Sequence, residues 1–269
     1  MAFEQPIPPQ PNSPQQVPSP AVVAALRRGG CVFAEDEARL LTDAATSERE
    51  LDVLVARRIA GAPLEHLLGW VQFCGMRVAV SPGVFVPRRR TEFLARCAAR
   101  VAPPNPVVVD VCCGCGAVAS ALAAMLGVCE VYATDIDPVA VRCARLNLPG
   151  ERVLEGDLCA SLPGSLLGRV DVLVANAPYV PSGALESMPR EARCFEPRVA
   201  LDGGEDGLDI HRRLAAEAGR WLAPGGHLLI EIAATQAPAA EKMLTQAGYR
   251  PRVLFSDESD ATVVVADRR

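Results

Sequence analysis

The chain has 269 residues, a formal net charge of −5, half of its residues apolar and 10 cysteines. That length suits one large domain, or one large and one small, with enough apolar side chains for a sizeable core. The acidic balance argues against a general nucleic-acid binder. No run approaches the ~18 apolar residues of a membrane span, and no apolar leader is visible, so reduced thiols in a cytoplasm are expected. Lys242 is the only lysine, a compositional bias that raises the bar before any arginine cluster counts as a phosphate site.

Residues 1–18 hold six prolines among Gln, Asn and Ser. Such a stretch buries little, and a disordered tail is expected. From residue 19 to 69 the pattern is helical. Val22, Val23 and Leu26 form one apolar face, and the acids Glu35-Asp36-Glu37 precede Leu40 and Leu41 as suits a helix start. Ser47-Glu48-Arg49-Glu50 is a capping box that leads into Leu51, Leu54, Val55, Arg58 and Ile59 at helical spacing. A bundle this small, with no obvious polar constellation, is expected to pack or to dock a substrate. Residues 70–86 alternate and carry Gly75 and Pro82-Gly83, the pattern of a hairpin linker.

The remainder, 87–269, forms the large domain. Pro87 to Glu92 leads into a helix through Phe93, Leu94 and Cys97. Strands are expected at 107–111, 130–135, 152–154, 170–175, 226–232, 251–255 and 261–266, with helices filling most gaps. The fold class is therefore α/β, a seven-stranded, mostly parallel sheet with right-handed crossovers. The last two strands are a few residues apart, so they form a hairpin and one of them runs antiparallel.

Asp110 to Gly116 closes the first strand of that sheet and opens a helix. Gly114 and Gly116 allow a tight turn and close approach of a ligand to backbone N–H groups, with Cys112, Cys113 and Cys115 as the small residues lining that loop. Asp135 ends the next strand, about 20 residues on, where a carboxylate can accept both ribose hydroxyls of a nucleoside. Asp157 follows the third strand and can accept from an adenine amino group, with the Leu158 backbone N–H facing the ring. The competing role for each acid is a helix cap, which Asp137-Pro138 fits well. The third glycine of a dinucleotide fingerprint is missing, with Ala119 and Ser120 there instead, and Asp110 would repel a pyrophosphate. S-adenosylmethionine, a cation, is the preferred cofactor. Cys112 and Cys115 form a C-x-x-C, but there is no second one and His66, His211 and His227 are scattered, so no metal is expected. Sensitivity of these thiols to alkylation is a further expectation.

Asn176-Ala177-Pro178-Tyr179 follows the buried-strand run Val170 to Ala175. It is either an ordinary Asn-x-Pro turn or equipment for holding a planar amide or amino group beside a reactive centre. Asn176 brings a side-chain carbonyl, Ala177 a backbone carbonyl restrained by Pro178, and Tyr179 a ring and a hydroxyl.

The sequence resembles the protein-(glutamine-N5) methyltransferases that modify peptide-chain release factors. The likeness runs through Arg58 to Gly69, Phe85 to Glu92, Asp110 to Gly116, Asn176 to Tyr179, Glu196 to Leu208 and Glu231 to Gln236. It implies the class I S-adenosylmethionine-dependent methyltransferase fold, Rossmann-like, behind a small N-terminal helical domain. It also implies methyl transfer to the N5 amide nitrogen of a glutamine in a protein, a release factor or a related translation protein. In that chemistry the Asn176 side-chain oxygen and the Ala177 carbonyl accept the two N–H bonds of the glutamine. Asn176 also belongs to the cofactor set with Asp110, Cys112, Cys113, Gly114, Cys115, Gly116, Asp135, Asp157 and Leu158, while Pro178 and Tyr179 complete the catalytic segment. Arg88 and Glu196 either shape the substrate entrance or form a structural ion pair. Three departures stand out: Cys112 in place of a glycine, with altered loop geometry expected, Arg89 in place of a proline, and Ala177 in place of the first proline of the tetrapeptide. The alternative is an amino-methyltransferase acting on adenine or guanine in RNA or DNA. The expected protein is a cytoplasmic monomer with no nucleic-acid or membrane partner.

Overall fold

The computed structural model describes residues 17–268. The tail expected at 1–18 lies outside the described residues, save Val17 and Pro18. The chain divides into two compact units, Met1–Val71 and Gln72–Arg269.

The first unit is helical: α1 (Pro20–Arg28), α2 (Ala34–Ala44), α3 (Glu48–Ile59) and the short α4 (Leu64–Leu68). Leu26, Ala34, Ala38, Leu41, Leu54 and Val55 make its core. The Ser47 hydroxyl accepts from Glu50 N, which is half of the expected capping box. The other half is displaced by one residue, because the Glu50 carboxylate takes the Thr46 backbone N–H and hydroxyl instead of the Ser47 amide. The unit does hold one polar constellation. Arg58 Nε meets Glu37 Oε2 at 2.7 Å, both largely buried.

A hairpin follows, β1 (Trp70–Phe73) and β2 (Met76–Ala79), turning through Cys74 and Gly75 at φ +48° and +79°. Two successive positive φ values match the twist of the flanking strands. The large unit then runs α5 (Glu92–Val101), β3 (Val107–Val111), α6 (Ala117–Leu126), β4 (Glu130–Asp135), α7 (Pro138–Ala144), β5 (Val153–Glu155) and β6 (Val170–Ala175). It continues with α8 (Arg190–Phe195), α9 (Asp209–Trp221), β7 (Leu222–Ile232), α10 (Ala237–Gln246), β8 (Tyr249–Ser256) and β9 (Ala261–Arg268). All seven expected strands form. β5 sits one residue later than expected, and β7, β8 and β9 run longer.

The seven strands lie in the order β5-β4-β3-β6-β7-β9-β8. β9 runs antiparallel to both of its neighbours, and the other neighbouring pairs are parallel. This is the expected α/β, class I methyltransferase arrangement. β3 is buried at every position, which is why Val107 to Val111 shows no alternation. Apolar residues of β3, β6, β7 and β9 meet Leu214, Ala218, Ala240 and Leu244 from α9 and α10 in one continuous core. No helix among the described residues is long and apolar enough to cross a membrane.

Candidate active site

Strand register builds the site. Val111 pairs with Thr134 on one side and Ala175 on the other, and Asp135 pairs with Glu155. The carboxyl ends of β3, β4, β5 and β6 are thus level. The chain leaves β3 toward β4 on one side and reaches β6 on the other, the kind of switch point where open α/β sheets bind ligands. One cavity opens there. It is lined by Asp110, Cys112, Cys113, Gly114, Cys115, Asp135, Asp157, Leu158 and all of Asn176 to Tyr179. Of the expected site residues, only Gly116 is absent from the lining. At φ +78° its Cα faces α7, where an added Cβ would sit 3.0 Å from Leu148 and 3.3 Å from Ala144.

The loop after β3 is held by hydrogen bonds from the next strand. Cys113 N donates to Thr134 O at 3.0 Å, and Gly114 N donates to Asp135 Oδ2 at 2.8 Å. The other Asp135 oxygen accepts from Asp137 N at 2.9 Å. Each oxygen keeps a lone pair for a ligand hydroxyl. Burial raises the Asp135 pKa while those two amides hold it down. Asp137 caps α7 through Val139 N, as its Asp-Pro sequence suggests. Asn147 binds both backbone groups of Ala79 and the Cys115 carbonyl, so its side chain ties β2 to the loop.

Two expectations about the loop change. Cys112 has φ +57°, the left-handed conformation a glycine adopts readily. The substitution therefore keeps a glycine-like backbone and stores strain, of order 1–2 kcal/mol, instead of altering the path. Burial also pushes the Cys112, Cys113 and Cys115 thiols up, away from the reactive thiolate. That opposes the expected alkylation sensitivity.

Asp110 lies inside β3 and not at its end. It is only 2 % exposed and accepts from Ala119 N at 3.0 Å. Burial pushes its carboxyl up to about 7, with Asp135 adding to the rise and the Ala119 amide opposing it. Asp157 is exposed, two residues past β5, and its carboxylate is ion-paired with Arg213 on α9. An adenine amino group would have to share that carboxylate with Arg213. Ile136, half-exposed beside Asp135, adds an apolar face to the cavity. Apolar walls, acids and freed backbone donors suit a cationic nucleoside such as S-adenosylmethionine. Among the described residues no cluster of His, Cys, Asp or Glu could hold a metal ion.

Across the cavity, Asn176 Nδ2 donates to Thr91 Oγ1 at 3.2 Å. Asn176 Oδ1 and the Ala177 carbonyl have no hydrogen-bond partner among the described residues. The Ala177 methyl is packed in the core. The Tyr179 hydroxyl accepts from Arg90 Nη2 at 2.6 Å and donates to Glu231 Oε1 at 3.3 Å. The Arg90 guanidinium lies 5.9 Å from the Tyr179 ring centroid. Burial, then the Glu231 charge, push Tyr179 up to about 12, so it stays a phenol.

The backbone after Asn176 is clamped from below. Val180 N donates to Leu201 O, Gly203 N donates to Val180 O, and Gln236 Nε2 reaches the carbonyls of Tyr179 and Asp206. A Cβ at Gly203 would meet Pro178 O at 2.7 Å, and one at Gly207 would meet Tyr179 O at 2.3 Å. These contacts explain the glycines of the Gly-Gly-Glu-Asp-Gly run. Arg88 and Glu196 form an ion pair at 2.6 Å in which the Glu196 side chain is almost fully buried and also accepts from Val86 N. Arg88 stacks on the Phe85 ring and lines the cavity as well.

Thr91, Arg90, Ile136, Asn147 and Arg213 join the site beyond the residues expected from the sequence. Thr91 and Arg90 lie within the Pro87 to Glu92 segment, whose sequence is distinctive. Asn147 and Arg213 carry no local signal, since their partners are 32 to 68 residues away.

The ribosomal protein L11 methyltransferase (PrmA) family matches residues 94–178. A release factor glutamine methyltransferase of Geobacter sulfurreducens is 38% identical over 219 residues, covering 80% of this chain and 76% of that protein. A 4-amino-L-phenylalanine/4-methylamino-L-phenylalanine methyltransferase of Streptomyces pristinaespiralis is 36% identical, covering 72% of this chain and 69% of its own. Among solved structures, a 16S rRNA N2 G1207 methyltransferase of T. thermophilus, in complex with AdoMet and guanosine, superposes with a TM-score of 0.53 at 20% identity. It covers 74% of this chain and 50% of that one, and the likeness is one of fold.

Proposed function

The chain belongs to the release factor glutamine methyltransferase family, whose members are S-adenosylmethionine-dependent, and on that footing we propose that it methylates the side-chain amide nitrogen of a glutamine in a peptide-chain release factor. One observation carries the proposal. Two carbonyl oxygens, Asn176 Oδ1 and the main chain of Ala177, stand next to each other in sequence at the cavity without hydrogen-bond partners among the described residues, while the Asn176 nitrogen is occupied by Thr91.

An amide nitrogen is a poor nucleophile because its lone pair is delocalised into the carbonyl. S-adenosylmethionine supplies an electrophilic methyl group on a sulfonium. The work of the protein is then placement. Two carbonyl acceptors fix both N–H bonds of the glutamine and thereby aim the nitrogen. Their dipoles also favour positive charge growing on that nitrogen. Asp110, Asp135, Gly114 and Leu158 would hold the cofactor, with Ile136 against its base. Ala177 acts through its main chain, so the missing proline ring costs rigidity and leaves the acceptor in place.

A second acceptor class has an observation behind it. The Streptomyces pristinaespiralis relative is named for an aromatic amine, and two carbonyls can hold an aryl-NH2 as they hold an amide. The RNA or DNA alternative is less supported, since its relative shares the fold alone.

The test is incubation with labelled S-adenosylmethionine and either a recombinant bacterial release factor or 4-amino-L-phenylalanine, followed by mass spectrometry. Label on a glutamine side chain of the release factor is expected, and Asn176→Ala should abolish it while retaining cofactor binding. Label on the aryl amine alone, or normal turnover in Asn176→Ala, would overturn the proposal.

A further inference from the structure

Tyr179 lines the cavity three residues after Asn176 and is held at both of its ends. At the main chain, its carbonyl accepts from Gln236 Nε2 at 2.9 Å. At the far end, its hydroxyl meets two charged side chains from other parts of the fold. A guanidinium has no acceptor, so the contact with Arg90 Nη2 at 2.6 Å uses a lone pair of the hydroxyl. The hydroxyl proton is then free for Glu231 Oε1, 3.3 Å away. Arg90 Nε lies 3.4 Å from the same carboxylate oxygen, which closes a ring of contacts among the three side chains. Glu231 gives this ring a firm base. Its side chain is 1 % exposed, its main chain pairs with Val263 on β9, and His211 Nε2 lies 3.2 Å from its carbonyl. The hydroxyl thus spends its proton and a lone pair on residues of the protein, and the aromatic ring is the part of Tyr179 left to act on a methyl acceptor.

Two carbonyl oxygens set where the N–H bonds of a methyl acceptor point, but hydrogen bonds to carbonyl oxygens tolerate a broad range of angles. The lone pair of an amide nitrogen stands perpendicular to the amide plane. A tilt of that plane therefore swings the lone pair away from a sulfonium methyl. A fixed aromatic face beside the amide resists the tilt. We propose that Arg90 and Glu231 are positioning residues that pin the Tyr179 ring through its hydroxyl, making it a fixed wall for the planar nitrogen group of the methyl acceptor. Arg90, Tyr179 and Glu231 come from the turn before α5, the loop after β6 and the end of β7, so the clamp joins three separate elements beside the cavity. The inference rests on Asn176 and Ala177 holding the acceptor nitrogen.

Tyr179→Phe keeps the ring and removes both hydroxyl contacts, while Arg90 and Glu231 keep each other. The assay uses labelled S-adenosylmethionine and a recombinant release factor, or 4-amino-L-phenylalanine if the parent enzyme methylates that instead. Tyr179→Phe should lower kcat about 10- to 100-fold, the scale of a small misplacement of a reacting group. Methyl-acceptor KM, cofactor Kd and the thermal midpoint should stay near the parent values. Tyr179→Leu, which removes the wall itself, should lower kcat further. Arg90→Met keeps the length and removes the donors, and should lower kcat about as much as Tyr179→Phe. The double variant of Arg90→Met and Tyr179→Phe should be little worse than either alone, because both act through one hydroxyl. Full kcat in Tyr179→Phe, a loss that comes with weakened cofactor binding and a lowered thermal midpoint, or multiplicative losses in the double variant would each overturn the inference. If Asn176→Ala is inactive while Tyr179→Phe keeps full kcat, this inference fails and the proposed role of Asn176 stands. If Asn176→Ala turns over normally, that role fails first.

Discussion

Gln236 holds the main chain of Tyr179: its Nε2 donates to the Tyr179 carbonyl at 2.9 Å and to the Asp206 carbonyl at 3.0 Å. Its Oε1 accepts from Ala233 N, so the side chain has little freedom to turn. Gln236→Leu keeps much of the volume and leaves these groups unpaired. We expect a loss of about 1–3 kcal/mol in urea unfolding, with kcat reduced more than cofactor affinity. Unchanged stability would show that solvent replaces the staple.

Gly207 is the harsher case. Its φ is +79°, and a Cβ there would fall 2.3 Å from Tyr179 O and 2.4 Å from the Gln236 nitrogen. The left-handed backbone alone costs an alanine about 1–2 kcal/mol, and the main-chain clash adds to it. Gly207→Ala should therefore destabilise the protein by more than Gln236→Leu and abolish methyl transfer. Gly183, where an added Cβ meets nothing, should accept alanine with thermal denaturation nearly unchanged.

Asp110 gives a pH dependence whose sign can be worked out. Its carboxyl is pushed up to about 7 from 3.8, chiefly by burial, so the ligand-free protein holds this proton at mildly acidic pH. An acid raised on folding contributes stability below its ordinary range, and that contribution is lost as pH rises through about 7. A cationic cofactor favours the ionised form. Asp135 and the thiols of Cys112 and Cys113 face the same group, and the Ala119 amide is its donor. Cofactor affinity should tighten as pH rises from 6 to 8, with proton release on binding near pH 6 that fades above pH 8. Calorimetry in two buffers of different ionisation enthalpy measures this. Asp110→Asn should remove that part of the dependence.

For the cysteines the expectation is selectivity. Cys194 is exposed, whereas burial pushes the thiols of the loop after β3 well up. Iodoacetamide near neutral pH should label Cys194 before Cys112, Cys113 or Cys115, leaving cofactor Kd unchanged. Peptide mapping against time checks the order, and early label on Cys112 with lost affinity would contradict it.

The sheet was legible in the sequence because its strands are short apolar runs separated by helical periodicity, and nothing in Val107 to Val111 or Val170 to Ala175 competes with that signal. Asp137 was legible as a cap for a similar reason: cap and capped amide are two residues apart. Asp135 and Asn176 could be placed from their positions after strands. What could not be read was how side chains distant in sequence divide the same acceptors. Asp157 looks available until Arg213, 56 residues later, takes its carboxylate. Thr91 looks like an ordinary turn residue until β6 brings Asn176 to it across 85 positions. The Cys112 backbone stays glycine-like because the cost of a left-handed cysteine is small against the hydrogen bonds that Cys113 and Gly114 gain from the turn.

Ala177 has its methyl in the core and its carbonyl unspoken for. The two halves of this residue answer to different demands, the one to volume, the other to direction. Drift among small side chains at this position can proceed without passing through an inactive intermediate, provided Gln236 and the glycines beneath keep the following peptide still. A lineage could thus retune its choice of nitrogen nucleophile by altering the cavity rim while its two carbonyl acceptors are inherited unchanged.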